Sequence, residues 1–296
     1  MKTLFIYNPN AGKMQIKNYL YDILNIFAKA EYDLTVVPTR KSGEATIYIK
    51  KNCHKYDLII CSGGDGTLNE VTSGLMYSKN EKLPLLGYIP AGSTNDFASS
   101  LKIPKNMIEA AEFVVKGKAN SFDIGKFNRR HFIYIAAFGA FTRVSYATPQ
   151  DIKNILGHLA YLIEGIKSIS DIKSHHLKIH SKEYSGEGDF IYGMVTNTYS
   201  VGGVYQLDRK KVKLDDGLFE VLLVKMPKDL LELNEINRYF LGLTKKSDVV
   251  LSFTTNEIHF EADGDLAWTL DGEYGGNPNK VTIKNINKAI EIINKK

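Results

Sequence analysis

Residues 63–70 have the sequence GGDGTLNE, and residues 90–98 have the sequence PAGSTNDFA. Each stretch follows an apolar run, residues 56–62 and 83–89, that predicts a buried strand. A glycine turn between a strand and a helix presents backbone N–H groups and a positive helix end to phosphate. The Asp residue in each stretch is better suited to Mg²⁺ or to a transferable proton than to an anion.

Around these stretches, the first 125 or so residues alternate between two kinds of pattern. Strands are predicted at residues 4–7, 33–38, 58–61 and 85–89, and helices at residues 17–31, 43–53, 68–77 and 107–116. This alternation with short connections predicts a doubly wound, Rossmann-like parallel sheet. Ligands of such sheets bind outside the carboxyl ends of the strands, where both glycine stretches lie.

After residue 123 the pattern changes to apolar and β-branched runs separated by turns. Strands are predicted at residues 131–138, 176–180, 189–196, 219–224 and 257–262, and helices at residues 152–169 and 230–241. Residues 285–293 fit either a strand or a helix. We therefore predict an α/β domain at residues 1–123, to which residues 282–296 return, and a mainly β, antiparallel sandwich-like domain at residues 124–281.

Composition limits the class of protein. The chain has 296 residues, of which 44% are hydrophobic and 24% charged, as in soluble globular proteins. No apolar stretch approaches the ~20 residues of a membrane-spanning helix, and two cysteines without metal spacing fit a reducing cytoplasm. The net charge of +5 fits ordinary solubility or an anionic partner, either a nucleotide or a membrane surface. No nucleic-acid-binding module is recognisable.

The two glycine stretches, at this spacing, resemble the lipid kinase family of diacylglycerol, sphingosine and ceramide kinases, and are most similar to the soluble bacterial diacylglycerol kinases. Further matches follow in order along nearly the whole chain: NPNAGK at residues 8–13, FDIG at 122–125, KLDDGLF at 213–219 and LDGEYGG at 270–276. The resemblance implies an ATP- and Mg²⁺-dependent kinase that converts diacylglycerol to phosphatidic acid. It also implies a cytoplasmic protein in peripheral contact with the anionic inner face of the membrane.

The resemblance implies a set of residues in contact with ATP. They are Asn8, Pro9, Asn10, Ala11, Gly12, Lys13, Thr39, Gly63, Gly64, Asp65, Gly66, Thr67, Leu68, Asn69, Ser93 and Thr94. Position 11 usually carries Ser in the family, so Ala11 loses a hydroxyl. Residues 8–13 lack the Walker A spacing. Thr39 fits equally well as the N-cap of the next helix, and Asn69 and Glu70 as caps of their own helix.

Catalytic and metal roles are implied in the same way. Glu273 would be the general base, Asp65 and Asp96 would lie near Mg²⁺, and Asp123 would act at the metal through water. A separate structural cation would be bound by the Asp216 side chain and by the backbone oxygens of Lys213 and Leu218. Without the resemblance, LDGE and KLDDGL are equally compatible with ordinary turns between strands.

Three histidines, His175, His176 and His180, lie on a predicted strand. We interpret them as solvated residues at the exposed edge of that strand, because no metal motif and no matching motif of acidic partners accompanies them in the sequence. The apolar positions of residues 152–169, with the lysines that follow up to residue 182, fit either a bilayer-contacting helix or core packing.

Several alternatives to a diacylglycerol kinase remain at this point. The first keeps the same chemistry with a different substrate: a kinase for phosphatidylglycerol or a ceramide-like lipid alcohol. An NAD kinase would explain GGDGT but not PAGSTNDFA or LDGE. A regulatory protein that binds nucleotide or lipid without catalysis would fit the loss of a hydroxyl at Ala11. A homodimer through an edge strand is possible, without a specific signature.

Overall fold

The structure is a computed structural model that describes residues 1–78, 80–93, 95–139, 172–201, 205–206, 212–244 and 246–294. The chain forms two compact units. Unit 1 comprises Met1–Ile124 and Asn287–Lys296, and unit 2 comprises Gly125–Ile286. Two long strands, β5 (Lys118–Phe127) and β17 (Lys280–Asn294), carry the chain from one unit into the other.

Unit 1 contains a parallel sheet in the order β4-β3-β1-β2. Its strands are β1 (Lys2–Tyr7), β2 (Asp33–Pro38), β3 (Leu58–Gly63) and β4 (Leu85–Pro90). Every residue of β3 is buried. This burial explains its continuous apolar sequence, since a central parallel strand is covered on both faces.

The helices of unit 1 follow the strands as the sequence predicts. They are α1 (Ile16–Lys29), α2 (Glu44–Asn52), α3 (Asp65–Met76), α4 (Asp96–Leu101) and α5 (Met107–Lys116), with a 3₁₀ turn at Cys53–Lys55. The inner stripe of α1 is Ile16, Ile23 and Phe27, at helical spacing. Two details differ from the prediction: α3 begins at residue 65 rather than 68, and the short α4 was not predicted.

Unit 2 is mainly antiparallel. Its strands are β6 (Arg130–Phe132), β7 (Ile135–Gly139), β8 (His175–Ser181), β9 (Ser185–Thr196), β10 (Ser200–Val201), β11 (Tyr205–Gln206), β12 (Phe219–Lys225), β13 (Val250–Thr255), β14 (Glu257–Ala262), β15 (Trp268–Leu270) and β16 (Glu273–Gly276). One helix, α6 (Leu230–Phe240), connects β12 to β13. The predicted combination of a doubly wound α/β part and a β-rich part is confirmed.

The long strand β9 organises unit 2. Its first half, up to Phe190, pairs with β8, whereas its second half pairs with both β7 and β12. The core of unit 2 surrounds Trp268 of β15, whose ring centroid lies 5.1 Å from Phe127, 4.9 Å from Phe138 and 5.2 Å from Phe260. A strand that changes partners along its length is how antiparallel layers turn a corner.

Some predicted elements need correction. Residues 131–138 form two strands rather than one, separated at Ile133–Tyr134. Residues 285–293 lie within β17, so the open choice between strand and helix is decided for the strand. The helix predicted at residues 152–169 lies outside the described residues. No helix in the described part of the chain is both long and apolar enough to cross a membrane.

Candidate active site

Four turns meet at the carboxyl edge of the unit 1 sheet. The register aligns Tyr7 with both Pro38 and Ser62, and Gly63 with Pro90. The turns that follow β1, β2, β3 and β4 therefore begin side by side. The sequence predicted this assembly, because parallel strands carry their carboxyl ends to one edge.

Three of these turns touch through their glycines. A Cβ atom added to Gly12 would lie 2.5 Å from the carbonyl oxygen of Ala91, and one added to Gly92 would lie 2.5 Å from Cα of Gly64. Gly12 also has a φ of +53°, in the left-handed region that favours glycine. The turns after β1, β3 and β4 thus pack backbone against backbone, which no other residue type would allow.

A buried tyrosine links two of the turns. The Tyr88 hydroxyl, on β4, lies 3.1 Å from the Gly63 carbonyl and 3.3 Å from Asn95 Oδ1. Asn95 in turn accepts a hydrogen bond from Gly92 N at 3.0 Å and donates one to the Gly92 carbonyl at 2.8 Å. Burial, and next the charge of Asp65, raises the pKa of the Tyr88 phenol well above its usual value, so the hydroxyl stays protonated.

Asp65 is the first residue of α3, and its carboxylate reaches the start of α4. It accepts hydrogen bonds from the backbone N–H of Asp96 at 3.1 Å and of Phe97 at 3.4 Å. The N-cap residue of α3, Gly64, makes no side-chain cap hydrogen bond. The first N–H groups of α3 therefore have no side-chain acceptor from their N-cap, which is the arrangement that binds anions at helix N-termini.

The turn that contains Asp96 brings a second carboxyl group. Burial raises the pKa of Asp96 to about 6, because the carboxylate loses water solvation. Asn95 adopts a left-handed conformation with a φ of 54°, which turns the chain into α4. Ser93 is exposed, and Thr94 lies outside the described residues.

The remaining predicted ATP contacts in unit 1 surround the same turns. Asn8 Nδ2 lies 3.4 Å from Thr67 Oγ1, and Asn8 Oδ1 accepts a hydrogen bond from Asn10 N at 2.9 Å. Lys13 is exposed, so its positive charge is accessible to a ligand that binds from solution. The turn after β1 is therefore in polar contact with the first turn of α3, through Asn8 and Thr67.

Two capping alternatives from the sequence are corrected. The Thr39 hydroxyl bonds the Tyr7 carbonyl at 3.4 Å and does not cap α2, whose N-cap is Gly43. The cap is supplied by Glu70 of α3, which accepts hydrogen bonds from Gly43 N at 2.7 Å and Ala45 N at 3.2 Å. Glu70 therefore caps the neighbouring helix rather than its own.

Asp123 lies in unit 1, inside β5, and its side chain is buried. It accepts hydrogen bonds from Asn287 Nδ2 at 2.9 Å and from Lys288 N at 2.6 Å, both in the returning part of β17. Its neighbour Phe122 packs edge-on against Phe97 of α4 at 6.2 Å. Asp123 thus ties the last strand to the unit that contains the glycine turns.

Glu273 lies in unit 2, at the start of β16, and is exposed. The preceding Asp271 and Gly272, with φ angles of 51° and 85°, form the two-residue loop of the β15–β16 hairpin. Asp271 is buried, and its carboxylate accepts hydrogen bonds from the N–H groups of Ile133 at 2.7 Å, Tyr134 at 2.9 Å and Ile135 at 3.1 Å. The aspartate of LDGE therefore fixes the hairpin that presents Glu273.

The predicted cation loop also lies in unit 2. Asp216 Oδ1 accepts a hydrogen bond from Leu218 N at 3.1 Å, and the Leu218 carbonyl accepts one from Asn285 Nδ2 at 3.2 Å. Nearby, burial and next the charge of Asp216 raise the pKa of Glu220 to about 8. No group of three or more His, Cys, Asp or Glu side chains in the described part of the chain is arranged to hold a metal. The proposed Asp216 site would not form such a group, because two of its three proposed ligands are carbonyl oxygens.

The predicted position of the histidines of β8 at a sheet edge is wrong. Strand β8 is not an edge, because it pairs with β9 on one side and β14 on the other. His176 also has acidic partners: its Nδ1 lies 3.0 Å from Asp189 and its Nε2 lies 3.1 Å from Glu187. Hydrogen bonds to Glu187 and Asp189 raise the pKa of His176, whereas burial lowers that of His175.

Similarity to known proteins extends over nearly the whole chain, in sequence and in structure. Residues 2–127 match the family described as diacylglycerol kinase catalytic domain. Two relatives from Staphylococcus aureus, strains MRSA252 and Newman, are both named diacylglycerol kinase; each is 38% identical over 92% of this chain and 85% of its own length. The crystal structure of a diacylglycerol kinase from Bacillus anthracis str. Sterne has a TM-score of 0.77 at 27% identity, covering 99% of this chain and 97% of that one.

Proposed function

The chain belongs to the diacylglycerol kinase family and is a lipid kinase, and from that premise we propose that it transfers the γ-phosphoryl group of ATP to diacylglycerol. The product would be phosphatidic acid. The names of the relatives support this substrate over other lipid alcohols. The alternatives, an NAD kinase or a non-catalytic binding protein, are not favoured by any of these relatives.

The observation that carries the nucleotide part of the proposal is the packing of three glycine turns beside the N-terminus of α3. Gly12, Gly64 and Gly92 bring three backbones into contact, and α3 has no side-chain cap at its N-cap residue. Backbone N–H groups with the positive end of a 12-residue helix attract phosphate oxygens. We propose that this edge of unit 1 holds the phosphates of ATP, with Lys13 adding positive charge.

The donor set beside this edge fits a hard divalent cation. Asp65 and Asp96 lie in adjoining turns, since the Asp65 carboxylate bonds the backbone N–H of Asp96. Carboxylate oxygens are the ligands that Mg²⁺ prefers. We propose that these two residues would hold Mg²⁺, which neutralises phosphate charge when bound, and that Asp216 with the carbonyls of Lys213 and Leu218 would hold a structural cation.

Catalysis requires removal of a proton from the lipid hydroxyl as its oxygen attacks the γ-phosphorus and the bond to the ADP oxygen breaks. We propose Glu273 for this role, because it is the exposed carboxylate of the LDGE turn and its hairpin is fixed by Asp271. Phosphoryl transfer depends chiefly on positioning and electrostatics, so a rigid support for the base is useful. The enzyme would act as a peripheral protein at the inner face of the membrane.

The test is phosphoryl transfer from labelled ATP with Mg²⁺ to mixed micelles that contain diacylglycerol, phosphatidylglycerol or ceramide, with NAD as a further acceptor. Wild type should give labelled phosphatidic acid, and Glu273→Gln and Asp65→Ala should not. Glu261→Gln, another exposed carboxylate of unit 2, is the control that should keep activity. Label in a different lipid would change the proposed substrate, label in NADP would refute the lipid reaction, and no transfer to any acceptor would refute catalysis.

A further inference from the structure

Large exposed apolar side chains are concentrated at one place in the described part of unit 2. Leu230, Leu231, Leu241 and Leu243 are between 60% and 79% exposed. All four belong to α6 or to the three residues that follow it. Single exposed leucines are ordinary, but four within so short a segment mark a surface that contacts another molecule.

Three of these four leucines share the outward side of the helix. At about 100° per residue, Leu230, Leu231 and Leu241 fall within roughly a 100° arc of the helix surface. The opposite side is the one that packs inward, with Leu233 and Ile236 buried. With apolar residues on both sides, α6 is suited to lie between the body of unit 2 and an apolar environment outside it.

The polar groups on this outward side are neutral or basic. Asn234 and Arg238 occupy the same arc as the leucines, and Lys228 and Lys246 are exposed at either end of the segment. The carboxylates of the helix are held by backbone N–H groups instead. Asp229 caps Leu231 N and Glu232 N, Glu232 accepts from Lys228 N at 2.7 Å, and Glu235 accepts from Asp248 N at 3.0 Å.

We propose that the outward side of α6, defined by Leu230, Leu231, Arg238 and Leu241, docks on an anionic lipid bilayer together with the exposed Leu243 that follows the helix. The leucines would enter the boundary between headgroups and acyl chains, and Arg238 with the flanking lysines would contact anionic headgroups. A second copy of the chain is a poorer occupant, because twofold packing of this side against itself would bring Arg238 towards its own charge. The inference rests on the proposed function, which supplies a lipid substrate.

The test is sedimentation of the full-length protein with phosphatidylcholine vesicles that contain phosphatidylglycerol, in the absence of ATP. The double variant Leu231→Glu/Leu241→Glu should bind at least about tenfold more weakly than wild type. Ile47→Glu is the matched control, because Ile47 of α2 is 69% exposed and lies in unit 1. Arg238→Gln should weaken binding to these vesicles but not to vesicles of phosphatidylcholine alone.

Three results would overturn the proposal: no vesicle binding by wild type, unchanged binding of the double variant, or an equal loss in Ile47→Glu. A change from dimer to monomer in the double variant, with vesicle binding unchanged, would assign the surface to a second copy instead. Turnover of a short-chain, water-soluble diacylglycerol separates this proposal from the proposed function. Loss of vesicle binding with that turnover retained supports docking, whereas vesicle binding without turnover in wild type refutes only the kinase reaction.

Discussion

Asp65 and Asp271 each precede a glycine, the first at the start of α3 and the second in a hairpin loop, and their carboxylates have different surroundings. Asp271 is buried and accepts three backbone hydrogen bonds of 2.7, 2.9 and 3.1 Å from residues 133–135. Asp65 is half-buried and accepts longer bonds, of 3.1 and 3.4 Å, from Asp96 and Phe97. The comparison indicates that the first carboxylate mainly maintains the fold, whereas the second lies at a helix N-terminus where a ligand can compete for it.

If Asp271 mainly maintains the fold, its replacement should have the largest effect, and that effect should be on stability. Asp271→Ala leaves three buried N–H groups without their acceptor, which should lower the free energy of unfolding by about 3 kcal/mol or more. The single tryptophan of the chain, Trp268, is fully buried in unit 2. Its fluorescence during urea unfolding therefore reports on the unit that contains Asp271.

Asp216→Ala is a suitable control for that experiment. Asp216 is an exposed turn aspartate of the same unit and accepts one backbone hydrogen bond, from Leu218. Its loss should cost about 1 kcal/mol or less in the absence of divalent cations. If Asp271→Ala were no more destabilising than Asp216→Ala, the structural role of Asp271 would be refuted.

Asp65→Ala should have the reverse pattern, on the premise of the proposed function. The rate of phosphoryl transfer should fall by about 100-fold or more, because the charge beside the phosphates is lost. Stability should fall by only about 1 kcal/mol, the usual value of a lost helix cap. The measurements are kcat with a saturating lipid and the urea midpoint by circular dichroism.

Asp65→Asn separates the two roles of this side chain. The amide keeps an acceptor oxygen for the N–H groups of Asp96 and Phe97 but removes the negative charge. We expect near-normal stability with activity as low as in Asp65→Ala. Activity restored in the Asn variant would show that the cap, rather than the charge, is what the reaction requires.

The sequence predicts the architecture of unit 1 well because burial and helix geometry act locally there. A wholly buried strand such as β3 is continuously apolar, and the inner stripe of α1 repeats at helical spacing. The meeting of the glycine turns follows from the parallel strands alone. The short helix α4 escapes prediction because its six residues are too few for a periodic pattern.

The contacts that sequence reasoning misses depend on partners far along the chain. Glu70 caps α2, and nothing within its own helix signals that use of the side chain. Strand β8 has a neighbour on both sides, so its histidines are not at a sheet edge. Which strands lie next to each other depends on the topology of the whole sheet, and the sequence of β8 does not indicate it. The break between β6 and β7 lies opposite Asp271, 136 or more residues away. Tertiary contacts of this kind leave no local pattern.

Two buried tyrosines, one in each unit, allow the same comparison to be made with smaller expected effects. Tyr88 lies in unit 1, where its hydroxyl contacts the Gly63 carbonyl and Asn95. Tyr192 lies in unit 2, where its hydroxyl contacts Met194 Sδ at 3.7 Å. Phe in place of either should cost about 1 kcal/mol of stability, since each loses the contacts of one buried hydroxyl group.

Only Tyr88→Phe should change nucleotide binding. Without the hydroxyl, the turns after β3 and β4 lose a shared anchor, and the KM for ATP should rise by about fivefold with kcat nearly unchanged. Tyr192→Phe should leave both constants at their wild-type values. Equal KM values in the two variants would mean that Tyr88 supports only the fold.

A pH-dependent effect concerns Asp96, whose carboxyl group has a pKa raised to about 6 by burial, against 3.8 ordinarily. In the unliganded protein the native state therefore binds this proton more readily than the unfolded state does. The stabilisation from the proton is present below about pH 4 and is lost as the pH rises through about 6. The Asp96→Asn variant does not show this loss, because an asparagine side chain does not titrate.

The urea midpoint of the wild type relative to Asp96→Asn should therefore decrease between about pH 4 and pH 6 and stay constant above about pH 7. Taking the difference between two proteins cancels the titration of the other carboxylates. Circular dichroism is the proper probe, because the tryptophan lies in the other unit. Asp65→Asn provides the contrast: a difference with the same pH profile there would mean that the two neighbouring carboxylates share one proton, and the effect could not be assigned to Asp96 alone.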